Sequence, residues 1–471
     1  MAAPPATPAL LLVDPFSTGD TLARHIMSRG VPLIIVLSSM RDTAMAWRED
    51  EKRALAADGE LQQGCVATLQ HGGEGGEGGE GGEDMARTVA ALAALPFTVA
   101  DVLVGAESGV VLADALAAAL GLRGNGAATT RVRTSKYEQH EALRRAGLAA
   151  CAQGLAASEA ELDALLSSSL LPPPTAAAPL VVKSVDGSGQ QGVHKCCSAT
   201  EVREAFRAVH GATNMLGRRC DAVMVQECLP GEEFTVDTVS SEGTHKCVAL
   251  WRQERRATSP TSPFTYIGQS LLSVDSAVGG VAGLQLSALV EYVFAALDAI
   301  GVRFGACCAE VKYGGPAAAQ RGPVLVEVNC RLDGGGGAWV PLVEATGLGF
   351  TQVSALADSY LDAGAYAAIP TAPTLPGGMR GHTLTIRSPV GGVVKRVRDE
   401  VFKRVRALPS FLSMNLVGFP AAGETILETV DMMTYYGCID LVHADAGVLQ
   451  RDCDVLRAIM DTAEEALVEV E

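Results

Sequence analysis

A mixed α/β and α+β fold is what this sequence predicts: a parallel βαβ start, a strand-rich middle and a small α+β close. Three observations carry that expectation. Residues 9–37 run from an apolar strand through a helical stretch to a second apolar strand. Residues 180–255 and 307–329 are hairpins interleaved with helices, and from about residue 380 a shorter α+β segment closes the chain. At 471 residues the chain is too long for one hydrophobic core. The patterns divide it into 1–128, 129–378 (with a lid at about 178–225) and 379–471.

In "ALLLVDPFSTGDTLARHIMSRGVPLIIVLSS", residues 9–13 and 33–37 are buried strands, and Ser17 or Thr18 is placed to cap a helix that Gly30 ends. The Gly-Gly-Glu triplets of 72–84 have high backbone entropy and nothing to bury, so they read as a disordered insert. "FTVADVLVGA" (97–106) is a further strand, followed by a helix over 109–122. "TSKYEQHEALRRAGLAACAQ" (134–153) reads as a capped amphipathic helix and 167–179 as a linker. Then "LVVKSVDGSGQQGVHKCC" (180–197) gives strand, glycine turn, strand, and a helix begins at 199. Residues 221–255 hold three strands with a hairpin at Glu242-Gly243, 285–300 a helix, and 307–329 another hairpin.

The chain is 48% hydrophobic and 19% charged, with a net charge of −17. Broad electrostatic binding to nucleic acid or an anionic membrane is therefore not expected. The twelve cysteines form no C-x-x-C pair and read as reduced thiols. The N-terminus shows no secretory signal and no stretch is long enough to span a bilayer, so a cytoplasmic location is expected, with organelle import left open by the first eight residues.

Chemistry gathers at "LVEVNCRLDGGGG" (325–337). Alternation puts Leu325, Glu327, Asn329 and Arg331 on one face and Val326, Val328, Cys330 and Leu332 on the other. Glu310 lies on the preceding strand, and antiparallel pairing would set it opposite Glu327 and Asn329. Two carboxylates and an amide oxygen suit Mg²⁺. Like charges ~4 Å apart repel by roughly 4 kcal/mol at an effective dielectric of about 20, so such a pair beside a polyphosphate implies divalent cations. A solvated strand face is the competing reading. In "KSVDGSGQQG", Gly187, Gly189 and Gly192 match G-x-G-x-x-G, but a strand rather than a helix follows, which argues against a dinucleotide fold. A glycine hairpin can cover phosphates with its backbone N–H groups, Lys183 reaching the same oxygens. The lysine precedes the glycines and H-R-D and D-F-G are missing, which disfavours a protein kinase. In "MVQECLPGEEF" a strand breaks after Gln226-Glu227, exposing backbone able to read an adenine edge.

Taken in order, Lys136, Lys183 before a glycine hairpin, "VQECLPGEEF", Glu310 and "EVNCRLDGGGG" resemble the ATP-grasp superfamily over nearly all of residues 9–460. Within it, "DPFSTG", "VVKSVDGSGQQGV", "EEFTVDTVS" and "EVNCRLDGGG" are most like the L-amino acid ligases, a carboxylate–amine ligase branch. The resemblance implies an ATP-grasp fold behind an N-terminal parallel α/β (pre-ATP-grasp) domain. It implies that Lys136 and Lys183 bind ATP phosphates under a loop containing Gly187, Ser188, Gly189 and Gly192. Gln226, Glu227 and Leu229 would hold adenine, and Glu233 the ribose. Glu310, Glu327 and Asn329 would ligate Mg²⁺, two ions in the family pattern with Mn²⁺ as an alternative. Lys183, Asn329 and Arg331 would act in catalysis, Arg331 meeting the transferred phosphate and a substrate carboxylate. The family chemistry converts a carboxylate to an acylphosphate with release of ADP, and an amine displaces the phosphate. Small-molecule carboxylates and amines are the expected partners, with a homodimer as a further expectation. Asp333 stands where these ligases often carry histidine. Arg252, Arg255 and Arg256 read as a solvated charge run, with carboxylate binding as the alternative. The rival readings are a biotin-dependent or purine-pathway carboxylase or synthetase, and a non-catalytic nucleotide-binding protein.

Overall fold

The computed structural model describes residues 7–38, 58–72, 82–187, 192–214, 218–257, 264–276, 285–314, 321–430 and 434–471. The N-terminal sheet is parallel, in the order β3-β2-β1-β4, from β1 (Thr7–Val13), β2 (Leu33–Leu37), β3 (Ala67–Gln70) and β4 (Phe97–Val104). Both central strands are unbroken apolar runs because helices cover both faces of the sheet. Leu11, Leu12, Ile34 and Leu33 are fully or almost fully buried, each contributing roughly 1.5–3 kcal/mol by leaving water. The helix Thr18–Ser28 follows β1, as the βαβ pattern predicts. Of the expected insert at 72–84, residues 73–81 lie outside the described residues. Gly72 stands in a turn and Gly82–Asp84 open the helix Gly82–Ala93, so both ends of that stretch are ordered.

A small antiparallel sheet, β5-β8-β6-β7, comes next, built from β5 (Gln153–Ala156), β6 (Leu180–Ser184), β7 (His194–Cys196) and β8 (Val223–Glu227). The helix predicted over 134–153 is shorter than its pattern. It runs Lys136–Arg145, stops before Gly147 (φ +74°), and the chain enters β5 at Gln153.

The largest sheet has eight strands: β9 (Glu232–Ser241), β10 (Thr244–Arg256), β11 (Thr265–Leu271), β12 (Gly305–Tyr313), β13 (Val324–Asn329), β14 (Arg380–Thr385), β16 (Phe411–Leu416) and β18 (Gly437–His443). Their order is β13-β12-β9-β10-β11-β14-β18-β16. The segment beyond residue 380 thus adds strands to the central sheet through β11–β14 pairing. A three-stranded sheet, β17-β15-β19, from β15 (Gly392–Val397), β17 (Thr425–Ile426) and β19 (Val468–Val470), completes the C-terminal part. The helix Leu286–Ala299 buries Leu289, Val293 and Leu297 against Phe234, Val236 and Val311 on one face of the large sheet, which leaves the opposite face of β9, β12 and β13 to line a cleft.

Candidate active site

That opposite face is a grid of polar residues, placed by plain alternation. On β9 it presents Glu233, Thr235 and Asp237, and on β12 Lys312, Glu310 and Cys308. Cross-strand pairing aligns them as Glu233 with Lys312, Thr235 with Glu310, and Asp237 with Cys308. On the outer side Glu310 pairs with Glu327 and Cys308 with Asn329. On the inner side Gln253 pairs with Glu233 and Trp251 with Thr235. The grid floors a cleft of about 460 Å³, which the small sheet covers with Lys183 and Gln226, and the C-terminal strands wall with Thr383, Asn415 and Cys438.

One detail departs from the alternation expected on β13. The pairing jumps from Glu310–Glu327 to Val311–Leu325, so Val326 is an extra residue in a β-bulge. Leu325 is therefore fully buried with Val328 and Cys330 in the core instead of sharing the face of Glu327. Val326 lines the cleft beside Glu327, Asn329 and Arg331.

Burial and mutual repulsion govern the charges. Burial first, then the neighbouring Glu327 charge, raises the Glu310 carboxyl to about 7. Burial also acts to raise Glu327, yet the charges of Lys136 and Lys183 hold it below the usual carboxylate range. Lys136 Nζ lies 2.5 Å from Glu327 and donates to the carbonyl of Gly187 at 2.6 Å. Burial lowers the Lys183 ammonium, and Lys136 beside it acts in the same direction. Two lysines, one on the helix Lys136–Arg145 and one on β6, thus face two carboxylates paired across β12 and β13. Glu310, Glu327 and the Asn329 amide offer hard oxygen donors, Glu327 Oε2 being held by Lys136, so the chemistry of the donor set fits Mg²⁺.

The other expected residues fall as follows. Gln226 and Leu229 border the cleft, and Gln226 Oε1 is buried without a partner. Glu227 does not border it: its carboxylate accepts from the Ala152 N–H at 2.7 Å and pairs with Arg321 at 2.6 Å, so its side chain is tied down behind the hinge. Glu233 lines the cleft but is held by Arg255, by Lys312 at 3.1 Å and by the Tyr266 hydroxyl at 3.3 Å. Gly187 lines the cleft and Gly192 takes φ +67°, while Ser188 and Gly189 lie outside the described residues. Arg331 points into the cleft, its Nε 3.3 Å from Glu107.

The four glycines after Asp333 serve a close approach. Gly335, Gly336 and Gly337 all have positive φ, and a Cβ on Gly337 would sit 2.5 Å from Thr21 Oγ1. The Gly336 N–H donates to Ser17 Oγ and the Gly337 N–H to Thr18 Oγ1, while Thr18 Oγ1 donates to the Asp333 carbonyl. The capping expectation at Ser17 is therefore corrected: it makes no side-chain cap, and both hydroxyls lock the glycine turn onto the helix start.

Two residues of the site escaped the sequence reading. Arg255 is no part of a solvated run: its guanidinium is clasped by Glu233 and Glu310 and lies 4.0 Å above the Tyr266 ring, whereas Arg252 and Arg256 on the other face meet Glu232 and Asp461. Alternation from Gln253 carried that signal. Glu107 arrives from the end of β4, and no local pattern announced its meeting with Arg331.

The twelve cysteines are all free. No described helix is long and apolar enough to cross a membrane.

Comparison with known proteins agrees with this arrangement. Residues 176–337 match the ATP-grasp domain model. Dapdiamide A synthase of Enterobacter agglomerans is 26% identical over 366 residues, covering 77% of this chain and 80% of that protein. The crystal structure of L-amino acid ligase from Bacillus licheniformis superposes with a TM-score of 0.68 at 16% identity over 99% of both chains. Carboxyaminoimidazole ribonucleotide synthase from Aspergillus clavatus, solved with ATP, gives 0.62 at 15% identity over 96% of this chain and 98% of that one. Residues 176–337 thus match an ATP-grasp domain, and the fold is shared from end to end with the L-amino acid ligase structure.

Proposed function

We propose that the protein is an ATP-dependent carboxylate–amine ligase, forming an amide bond on amino-acid-like substrates through an acylphosphate with release of ADP. The observation that carries this reading is the cross-strand pair Glu310–Glu327 facing Lys136, Lys183 and Arg331 in one cleft. The relative named dapdiamide A synthase and the fold-mate named L-amino acid ligase support the same class.

The residues divide the work. Lys136 and Lys183 line the cleft beside Gly187, where they would hold the phosphates of ATP. Gln226 and Leu229 border the base end of the cleft. Glu310, Glu327 and Asn329 would hold one or two Mg²⁺ ions, which supply charge neutralisation at the triphosphate when bound. Arg331 faces the carboxylate that is phosphorylated. Phosphoryl transfer of this kind depends on positioning and on charge, so no protein nucleophile is required. A covering lid would exclude water from the acylphosphate. The free thiols accord with a cytoplasmic enzyme.

Phosphate release with Mg·ATP across paired amino acids and other carboxylates and amines tests the proposal. Amino acid pairs should stimulate release, and bicarbonate with biotin or a ribosylamine should not. Glu327→Gln should abolish ATP turnover while the circular dichroism spectrum stays that of the parent chain. Undiminished ADP release by that variant would remove the metal assignment.

A further inference from the structure

One row deeper than Glu310 and Glu327 lies a second acidic pair that the phosphate chemistry does not use. Asp237 on β9 stands opposite Cys308 on β12, which stands opposite Asn329 on β13. Asp333 follows four residues later, beside the same thiol: Cys308 Sγ is 3.4 Å from Asp333 Oδ1. Ligand-capable atoms of Asp237, Cys308 and Asp333 all lie within 4.8 Å of one another. Asp333 is firmly placed. Its N–H donates to Gln352 Oε1 at 2.8 Å, and its Oδ1 accepts from the Gly334 N–H at 2.7 Å. Asp237 is 0% exposed; its Oδ2 accepts from the Trp251 indole at 2.8 Å, and its Oδ1 has no hydrogen-bond partner.

Two carboxylates this close, one wholly out of water, require a cation or a shared proton. The nearby Arg331 charge favours the ionised form of both acids, but its guanidinium bonds elsewhere, to Glu107 and to the Leu332 carbonyl, and one charge answers only half of the pair. Asp333 and Cys308 border the cleft together with Gly334, Gly335 and Trp339, so the cation enters from the cleft. A divalent ion is a poor fit. Only two of the three side chains reach the cleft and one Asp237 oxygen is committed to Trp251, which leaves few open donors for a shell of six or more. A primary ammonium needs only an acceptor or two and carries the single positive charge the pair lacks.

We propose that Asp333, backed by Asp237, seats the ammonium group of the amine substrate and takes its proton before the C–N bond forms. The assignment rests on the ligase reading above and names its second subsite. In the step, an N–H bond of R–NH₃⁺ breaks and an O–H bond forms on Asp333. The freed lone pair of R–NH₂ attacks the acylphosphate carbon, making the C–N bond. The acyl C–O bond breaks, phosphate leaves with its electron pair, and the second amine proton leaves with it. Asp333 touches the substrate and is the catalytic residue. Asp237 acts through it, its charge and proton setting how readily Asp333 accepts one.

The test compares two nucleophiles on the full chain with Mg·ATP and the carboxylate that best stimulates phosphate release. A free amino acid arrives as an ammonium; hydroxylamine is largely neutral near pH 7.5 and traps an acylphosphate as hydroxamate. Asp333→Asn should lower amide formation at least about 100-fold, the lower end of what a positioned base contributes, and lower hydroxamate formation far less. Asp333→Glu should recover part of the amide rate. Asp237→Asn should shift the same ratio in the same direction by a smaller factor. An unchanged Mg·ATP-induced thermal shift identifies variants that remain folded; if Asp333→Asn does not, Asp237→Asn and Asp333→Glu carry the comparison. Equal losses with both nucleophiles in a folded variant overturn the inference and leave the ligase reading standing. A wild-type chain that forms no hydroxamate from any of the carboxylates overturns both. Zn²⁺ binding whose stoichiometry falls by one in Asp333→Asn overturns the ammonium assignment in favour of a metal.

Discussion

Arg255 shows how one side chain can stand in for a ligand. Its guanidinium contacts Glu233, Glu310 and the Tyr266 hydroxyl, and its Nε is buried without a partner. Glu310 is thus held by a protein cation in the place where the ligase reading puts a metal. Removing one partner of a buried ion pair leaves the other charge uncompensated, at a cost of about 3–5 kcal/mol. Arg255→Met should therefore destabilise the chain by about that much, with Lys312 still answering part of the Glu233 charge. If the carboxylates do bind a divalent ion, Mg²⁺ should restore stability to the variant more than it adds to the parent. Urea denaturation with and without Mg²⁺ measures this. An identical Mg²⁺ increment in both chains would show that Arg255 and the metal do not share Glu310.

At the scale of elements, the strand pair that carries Glu310 and Glu327 was legible and its irregularity was not. Glu310 opposite Glu327 follows from a hairpin and period-two alternation, both written in local sequence. The bulge at Val326 is a tertiary choice: it lets Leu325 and Val328 both reach the core while Glu327 and Val326 face the cleft, and nothing in "VLVEVN" marks which residue is extra. Arg255 was readable from the alternation of Gln253 and Arg255, but a cluster of three arginines looks solvated until the partner acids are known. Glu107 and the Ser17–Thr18 clasp on the glycine turn depend on contacts across more than 200 residues of chain, which no local pattern encodes. The cap of the helix Lys136–Arg145 is local and gives a prediction. Ser135 Oγ accepts from the Glu138 N–H at 3.3 Å, fixing the first turn from which Lys136 reaches Gly187 and Glu327. Ser135→Ala should cost about 1 kcal/mol of stability and raise the KM for ATP more than it lowers kcat. Steady-state kinetics and a thermal melt check it; a fall in kcat at unchanged KM would put Lys136 outside nucleotide binding.

Over the whole molecule, one sheet joins β12 and β13 at one edge to the C-terminal strands at the other, and each half buries a histidine. His140, 0% exposed in the helix behind Lys183, accepts from the Cys151 N–H; burial, helped by the Lys183 charge, pushes it down to about 3. His382 on β14 bonds Ser270 of β11, and burial pushes it down to about 4. Both are neutral in the fold at pH 7, as they are in the unfolded chain above the ordinary histidine value of about 6.5. As pH falls below that value the unfolded chain takes up protons that the folded one refuses, so stability declines between about 6.5 and the folded values and levels off beneath them. At pH 5 each histidine should subtract about 2 kcal/mol, about 4 together, a large share of the roughly 5–15 kcal/mol that holds a typical domain. Asparagine can replace an imidazole acceptor without titrating. His140→Asn with His382→Asn should therefore flatten the loss seen between pH 7 and pH 5 in urea denaturation, even if it lowers stability at pH 7. A double variant that loses as much as the parent over that interval would mean that these histidines are protonated within the fold, and that the sheet which closes the cleft opens to water around them.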